Sequence, residues 1–97
     1  MTYAFHPDAA AEYLEAIAYY EDRRAGLGAT FIAEFEHIVA RVVEAPDRYP
    51  IARAPDVRRT RLRRFPFALL FRRLGDGIQV LAVAHDRRRP AYWQNRP

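Results

Sequence analysis

The side chains best suited to chemistry lie near the end of the sequence. His85 follows an apolar segment, and Arg88 and Tyr92 come shortly after it. An imidazole can transfer protons near neutral pH, and an arginine can bind and neutralise a phosphodiester. A tyrosine can stack on a base. These three residues are therefore candidate catalytic residues for acid–base chemistry on a nucleic acid, on condition that the protein is a nuclease.

The distribution of charge indicates what kind of partner the chain attracts. All 16 basic residues are arginines, and with 12 acidic residues the net charge is +4. Residues 1–50 hold nine acids and four arginines, a balance of −5, whereas residues 51–97 hold three acids and twelve arginines, a balance of +9. Such a polarised chain should attract an anion through its second half. The candidate residues for binding a nucleic acid or an acidic partner are Arg59, Arg61, Arg63, Arg87, Arg89 and Trp93.

A structural interpretation of the same residues stays open. A row of arginines is commonly the solvated face of a sheet, and a histidine at a strand end commonly satisfies local backbone groups. A Tyr-Trp pair in a tail, here Tyr92-Trp93, commonly holds the tail against the core.

Several classes of chemistry are excluded or disfavoured by composition. The chain has no cysteine and no serine, which excludes thiolate metal sites, disulfides and serine or cysteine nucleophiles. The three histidines are far apart in sequence, and no glycine-rich phosphate loop follows a strand. We therefore expect neither a metal nor a cofactor.

The first half of the chain predicts a strand followed by two helices. Residues 2–5 are rich in β-forming types, and Pro7 and Asp8 suit the start of a helix that continues to about Arg24. A second amphipathic helix is predicted over 29–44, after a break at Gly26 and Gly28. The short connection requires the two helices to form an antiparallel hairpin.

The second half predicts a loop and three strands. Three prolines mark 45–56 as a loop, and strands are predicted over 58–64, 68–74 and 78–84, the last two joined by a hairpin turn at 75–77. The 97 residues are expected to form one α+β domain, with an N-terminal strand and a helical hairpin on a mostly antiparallel sheet in the order β-α-α-β-β-β. No membrane span or targeting segment is expected, because no apolar run approaches the required length.

The whole chain resembles the RelE/ParE superfamily of bacterial type II toxins, of the plasmid-stabilisation type. The resemblance rests on the order and spacing of five stretches: Phe5-His6-Pro7-Asp8-Ala9 with Tyr19-Tyr20-Glu21, Gly26-Leu27-Gly28 with Phe31, Ala45-Pro46 with Tyr49-Pro50, Arg63-Arg64-Phe65-Pro66-Phe67 into Leu70-Phe71-Arg72, and Val80-Leu81-Ala82-Val83-Ala84-His85 with Arg88, Pro90 and Tyr92-Trp93.

The resemblance implies a cytoplasmic toxin that is held inactive by a cognate antitoxin, in a complex expected to be a heterotetramer. RelE-like members cleave mRNA on the ribosome, whereas ParE-like members poison DNA gyrase. RelE-like proteins often carry an arginine inside the third predicted strand, where this chain has Ala68, and the chain has no lysine. We therefore expect a ParE-like gyrase inhibitor, with a ribosome-dependent mRNA endoribonuclease as the alternative. The antitoxin is expected to be acidic, or to present an extended acidic-apolar segment, to complement the arginine-rich half. The apolar helical hairpin and any exposed sheet edge would offer it helix-in-groove binding or strand addition.

Overall fold

The computed structural model describes residues 2–97, in which two helices pack on one face of a five-stranded sheet. The elements follow in the order β1 (Tyr3–Phe5), α1 (Pro7–Arg23), α2 (Leu27–Glu44), a 3-10 turn (Pro46–Arg48), β2 (Ile51–Arg53), β3 (Val57–Arg61), β4 (Phe67–Leu74) and β5 (Gly77–His85). The predicted α+β fold, with its helical hairpin and mostly antiparallel sheet, is confirmed. None of the helices in residues 2–97 is long and apolar enough to cross a membrane.

The start of α1 is fixed by its first residues. Pro7 occupies the first turn, where its missing N–H costs no hydrogen bond. The Nδ1 atom of His6 accepts a hydrogen bond of 3.1 Å from the main-chain N–H of Asp8, so the imidazole caps the helix. The Asp8 carboxylate lies at the positive end of the helix dipole, and Arg23 lies at the negative end.

The connection between the helices is shorter than predicted. Gly26 turns the chain with a φ of 90°, and α2 begins immediately after it at Leu27. Gly28 therefore lies inside the helix instead of breaking it. A Cβ on Gly28 would approach the main-chain oxygen of Ile17 to 3.1 Å and the Glu21 side chain to 3.0 Å. The missing side chain at Gly28 thus allows the two helices to meet closely.

The sheet has the strand order β1-β5-β4-β3-β2. β1 runs parallel to β5, with Phe5 opposite Val80, and all the other strand pairs are antiparallel. β5 therefore lies inside the sheet, between β1 and β4.

Both faces of the central strands are buried, but against different partners. On one face, side chains such as Leu69, Phe71 and Val80 pack against Phe31 and Phe35 of α2. On the opposite face, Leu70 and Leu81 pack with Val57 of β3 and with Trp93 of the C-terminal tail. The tail, residues 86–97, is thus a cover for the second face of the sheet.

Two sequence-based boundaries were wrong. The predicted loop 45–56 contains the 3-10 turn and the short edge strand β2, which is flanked by Pro50 and Pro55 and so resembles a loop in composition. The predicted strand 58–64 ends at Arg61, because Arg63 and Arg64 donate their main-chain N–H groups to the Glu34 carboxylate of α2. Those two donors are therefore not available to a strand ladder.

Candidate functional site

The candidate residues converge at the end of the sheet where β5 leads into the tail. His85 is the last residue of β5, and its ring packs edge-on against Phe67 of β4 at a centroid distance of 5.0 Å. Its Nδ1 atom accepts a hydrogen bond of 3.0 Å from the main-chain N–H of Arg87. His85 thus shapes the turn that begins the tail, and one of its two ring nitrogens is already bound.

A carboxylate that sequence reasoning missed organises this region. Glu12 of α1 accepts hydrogen bonds from the Tyr92 hydroxyl at 2.5 Å, from the Val83 main-chain N–H at 2.9 Å and from Arg96 at 2.8 and 3.0 Å. Its side chain is only 12% exposed. Burial by itself would raise the pKa of Glu12, but the bonds from Arg96, Tyr92 and Val83 outweigh that effect and hold the pKa below its ordinary value.

Arg88 and Tyr92 are both engaged with Glu12. The Arg88 guanidinium lies 3.8 Å from the Tyr92 ring centroid, and its Nη1 atom is 3.8 Å from a Glu12 oxygen. The Arg96 guanidinium is also close to the ring, at 5.1 Å. Burial, followed by the hydrogen bond to Glu12, raises the pKa of Tyr92 well above its ordinary value. The Tyr92 hydroxyl therefore holds its proton firmly and directs it at a carboxylate of the same chain.

Trp93 packs inward against the second face of the sheet. Its side chain is buried with Ala68, Leu70 and Ala84, and the guanidinium of Arg53 lies 5.8 Å from its ring centroid. The Trp93 ring therefore holds the tail against the core, and little of the ring is exposed for stacking on a base.

Half of the twelve arginines in residues 51–97 lie within ion-pair distance of carboxylates of the chain itself. These six are Arg58, Arg61, Arg64, Arg73, Arg88 and Arg96. Arg61 forms a bidentate pair, in which its two terminal nitrogens donate hydrogen bonds of 2.7 and 2.9 Å to the two carboxylate oxygens of Asp86. The hydrogen bond from Arg61 lowers the pKa of Asp86, and the same bond raises that of Arg61. The six arginines share five carboxylates, so this half of the chain keeps an excess of positive charge.

Four arginines of the same half have side chains without an ion pair or hydrogen bond to any of residues 2–97. They are Arg59, Arg63, Arg87 and Arg89, and all four are exposed. Arg59 and Arg89 line a cleft of about 430 Å³ beside His85, and Arg87 lines a neighbouring cleft of about 440 Å³ that also touches His85. Arg63 lies apart, near Glu34 and His37 of α2.

The arrangement therefore groups eight of the nine candidate residues around the end of β5. They divide into residues bound within the chain (Arg61, Arg88, Tyr92, Trp93), a turn residue (His85) and unpaired cations (Arg59, Arg87, Arg89). Such a surface can attract anions, whereas its tyrosine and one nitrogen of its histidine are already hydrogen-bonded. Residues 2–97 contain no group of three or more His, Asp or Glu placed to hold a metal ion.

The role of Glu12 could not be predicted from the sequence. It is one of several acidic residues on an amphipathic helix, and nothing in its local spacing distinguishes it from Glu15. Only the packing of α1 against β5 reveals that Glu12 faces the sheet and reaches the tail.

Comparison with known proteins identifies the family. A family model described as the ParE toxin of the type II toxin-antitoxin system, parDE, matches residues 3–90. A solved structure described as a chromosomal ParDE TA system from P. aeruginosa is 22% identical, with a TM-score of 0.73 over 88% of this chain and 95% of that chain, and so shares the fold. The curated proteins contain no match. The family match spans both helices and all five strands, and the chain therefore belongs to the ParE toxin family of type II toxin–antitoxin systems.

Proposed function

We propose that this toxin acts by binding DNA gyrase and inhibiting it, and that a cognate antitoxin neutralises it. A gyrase inhibitor acts in the cytoplasm, which is therefore the proposed location. The hydrogen bond from Tyr92 to Glu12 is the main reason to favour a toxin that acts by binding over one that acts as a nuclease.

The reason lies in what acid–base catalysis requires. A catalytic tyrosine must present its hydroxyl to the substrate and exchange its proton near neutral pH. The hydroxyl of Tyr92 instead points at a buried carboxylate, and its pKa is raised. Arg88 lies on the tyrosine ring, and Ala68 supplies no charge where related nucleases often have an arginine. These features favour a protein-binding toxin over an mRNA endoribonuclease.

The same surface suits an acidic antitoxin. Arg59, Arg87 and Arg89 are unpaired and surround His85, so they would accelerate the approach of an acidic chain. We propose that the two proteins assemble as a heterotetramer. Size-exclusion chromatography with light scattering on the co-purified complex tests that stoichiometry directly.

The target is tested by a short pulse of toxin expression without antitoxin, followed by separate measurement of DNA and protein synthesis. Inhibition of gyrase predicts that DNA synthesis falls first, and that purified toxin blocks supercoiling and traps cleaved DNA. An early fall in translation, accompanied by mRNA cleavage that the combined changes Tyr92→Phe and His85→Ala abolish, would support the nuclease instead. Unimpaired growth would indicate an inactive toxin that serves only in regulation.

A further inference from the structure

Arginines gather at the end of the molecule where α1 ends, α2 begins and the chain turns from β3 into β4. Three adjoining clefts surround this turn, and their walls carry five guanidinium groups, here called the basic tip: Arg23, Arg24, Arg63, Arg64 and Arg87. The clefts of about 440 and 360 Å³ share Pro66, and those of about 360 and 390 Å³ share Arg64. The positive groups therefore border one continuous surface.

Most of the charge of the basic tip is not used within the chain. Three of its exposed side chains have neither an ion pair nor a hydrogen bond to any of residues 2–97: Arg24, Arg63 and Arg87. Arg23 donates to the Tyr19 hydroxyl, which is neutral, at 3.0 Å. Arg64 donates to Glu34 through Nε alone and its side chain is 67% exposed, so its terminal nitrogens stay accessible.

The carboxylates that line these clefts are already bound. Asp86 accepts two hydrogen bonds from Arg61. Glu34 is 6% exposed and accepts from the main-chain N–H groups of Arg63 and Arg64. No other Asp or Glu of residues 2–97 lines any of the three clefts. An incoming anion thus meets no unpaired carboxylate there.

Acidic residues of α1 come near the basic tip without lining its clefts. Glu21 accepts hydrogen bonds of 3.0 and 3.1 Å from main-chain N–H groups at the start of α2, so its charge opposes the positive end of that helix dipole. Asp22 precedes Arg23, but consecutive residues leave a helix about 100° apart. Glu15 lies about two turns earlier. These carboxylates reduce the charge of the region without blocking the guanidinium groups.

The main chain of the turn has few donors left for a partner strand. The Glu34 carboxylate occupies the N–H groups of Arg63 and Arg64. The Asp86 N–H donates to the Pro66 carbonyl. Because strand addition needs free main-chain groups along an edge, recognition at the basic tip must rely on its arginine side chains. Arginine side chains recognise a phosphate backbone in this way, through charge and without reading bases.

We propose that the basic tip binds the phosphate backbone of duplex DNA without regard to base sequence. Guanidinium groups donate paired hydrogen bonds to phosphate oxygens, and their spread over three clefts suits a repeating polyanion better than one small anion. Of the Tyr and Phe rings that line these clefts, only Tyr19 is exposed, and the Arg23 guanidinium lies 5.3 Å from its centroid, so a stacking surface for unpaired bases is small. The choice of DNA over RNA rests on the proposed function, because gyrase acts on duplex DNA.

The test measures binding of the full chain to a fluorescein-labelled DNA duplex of about 20 base pairs by fluorescence anisotropy at several salt concentrations. The logarithm of the binding constant should fall with the logarithm of salt concentration with a slope of about −3 to −5, since each neutralised phosphate contributes about 0.9. Duplexes of unrelated sequence should bind within about twofold of each other. Single-stranded DNA of the same length should bind more weakly.

A set of variants locates the contact. Glutamine at positions 24, 63 and 87 should weaken duplex binding at least about tenfold at low salt and reduce the slope by about 2–3. Lysine at the same three positions should bind within about threefold of the original chain, because an ammonium group also neutralises a phosphate. Circular dichroism checks that each variant folds, and the salt slope of the original chain is a measure that needs no variant.

The matched control removes three charges from the opposite end of the molecule, by glutamine at Arg41, Arg48 and Arg73. Both α2 and β4 begin at the basic tip, and Arg41 and Arg73 lie about 20 Å along them. Duplex binding by this control should weaken by less than about threefold. Equal weakening by the two glutamine variants would overturn the proposal, because net charge and not location would then decide binding.

Three other results would also overturn it: no binding of the duplex at low salt, tighter binding of the single strand, or displacement of the duplex by polyglutamate as effective as displacement by unlabelled duplex. The last result would favour an acidic protein as the partner. Because gyrase is absent from these assays, the two proposals fail separately. A chain that binds the duplex but leaves supercoiling unaffected contradicts only gyrase inhibition, whereas one that inhibits supercoiling without binding the duplex contradicts only the DNA contact.

Discussion

Glu12 and Tyr92 are separated by 80 residues in sequence, yet their side chains are joined by a hydrogen bond of 2.5 Å. Because Glu12 also binds Arg96 and the main chain of Val83, one carboxylate connects the first helix, the central strand and the tail. The position of the tail over the second face of the sheet therefore depends on a residue near the other end of the chain.

We predict that Glu12→Gln lowers the free energy of unfolding by about 2–3 kcal/mol at pH 7, because the amide cannot replace a carboxylate that accepts four hydrogen bonds. Urea unfolding followed by circular dichroism measures this change. Glu15→Gln, on the exposed side of the same helix, is the matched control and should change stability by less than about 0.5 kcal/mol.

The effect of Glu12 should also depend on pH. Its pKa in the folded chain is below the ordinary value of 4.5, so the stabilisation is complete above that pH and is lost as the pH falls through the lowered pKa. The difference in unfolding free energy between the original chain and Glu12→Gln should therefore shrink between pH 7 and pH 3. A difference that stays constant or grows on acidification would contradict this account of the carboxylate.

Glu34 and Arg64 offer a second test, since the two partners of one ion pair differ in burial. The Glu34 side chain is 6% exposed and also binds the main-chain N–H groups of Arg63 and Arg64, whereas the Arg64 side chain is 67% exposed. We predict a loss of about 2–4 kcal/mol for Glu34→Ala, and of at most about 1 kcal/mol for Arg64→Ala. Equal losses would mean that the ion pair, not the main-chain contacts, holds the turn after β3.

The two glycines of the β4–β5 hairpin should respond differently to alanine. A Cβ on Gly77 would lie 2.2 Å from the Thr2 carbonyl oxygen, so Gly77→Ala should displace β1 and cost about 2–4 kcal/mol. Gly75 has a φ of 62° but open space around it, so Gly75→Ala should cost about 1 kcal/mol. Faster amide exchange at Ile78, whose N–H donates to Thr2, should accompany only the Gly77 change.

The unpaired arginines should govern the rate of antitoxin binding. Replacement of Arg59, Arg87 and Arg89 by glutamine should slow association with the antitoxin by about tenfold at low salt, because long-range attraction accelerates encounter. Stopped-flow fluorescence at several salt concentrations measures this rate, and the difference should diminish as salt screens the charges.

A control with the same change in net charge separates local from global electrostatics. The combined change of Arg41, Arg48 and Arg63 to glutamine also removes three charges, but none of these residues lines the clefts around His85. Its association rate should fall by less than threefold. If both triple variants slow association equally, the net charge of the toxin matters and the location of the arginines does not.

The sequence predicted the helices and central strands well because their signals are local. The apolar stripe of α2 and the Gly75-Asp76-Gly77 turn follow from spacing alone. The strand β2 was missed because three residues between prolines carry no periodicity, and the end of β3 was missed because Glu34, distant in sequence, binds the main chain after it. Local patterns cannot reveal such long-range hydrogen bonds.

The sequence indicated candidate residues, most of which lie together around His85, but it did not indicate the contacts among them. The arginines and His85 were found from the charge distribution and the end of an apolar strand. Which arginines are unpaired depends on the positions of Glu12, Asp47 and Asp86 in three dimensions. Charge counting cannot distinguish a guanidinium that faces solvent from one that is bound by a carboxylate of the same chain.

The parallel pairing of β1 with β5 constrains how the toxin matures during translation. Tyr3 lies opposite Ile78, so the first strand has no partner until almost the entire chain has left the ribosome. A nascent toxin therefore leaves the main-chain hydrogen-bonding groups of its N-terminal strand without a partner strand until β5 is available, and completes its sheet only at the end. Because β5 also precedes the tail, a truncated translation product that lacks β5 would have neither the closed sheet nor the cover over its second face.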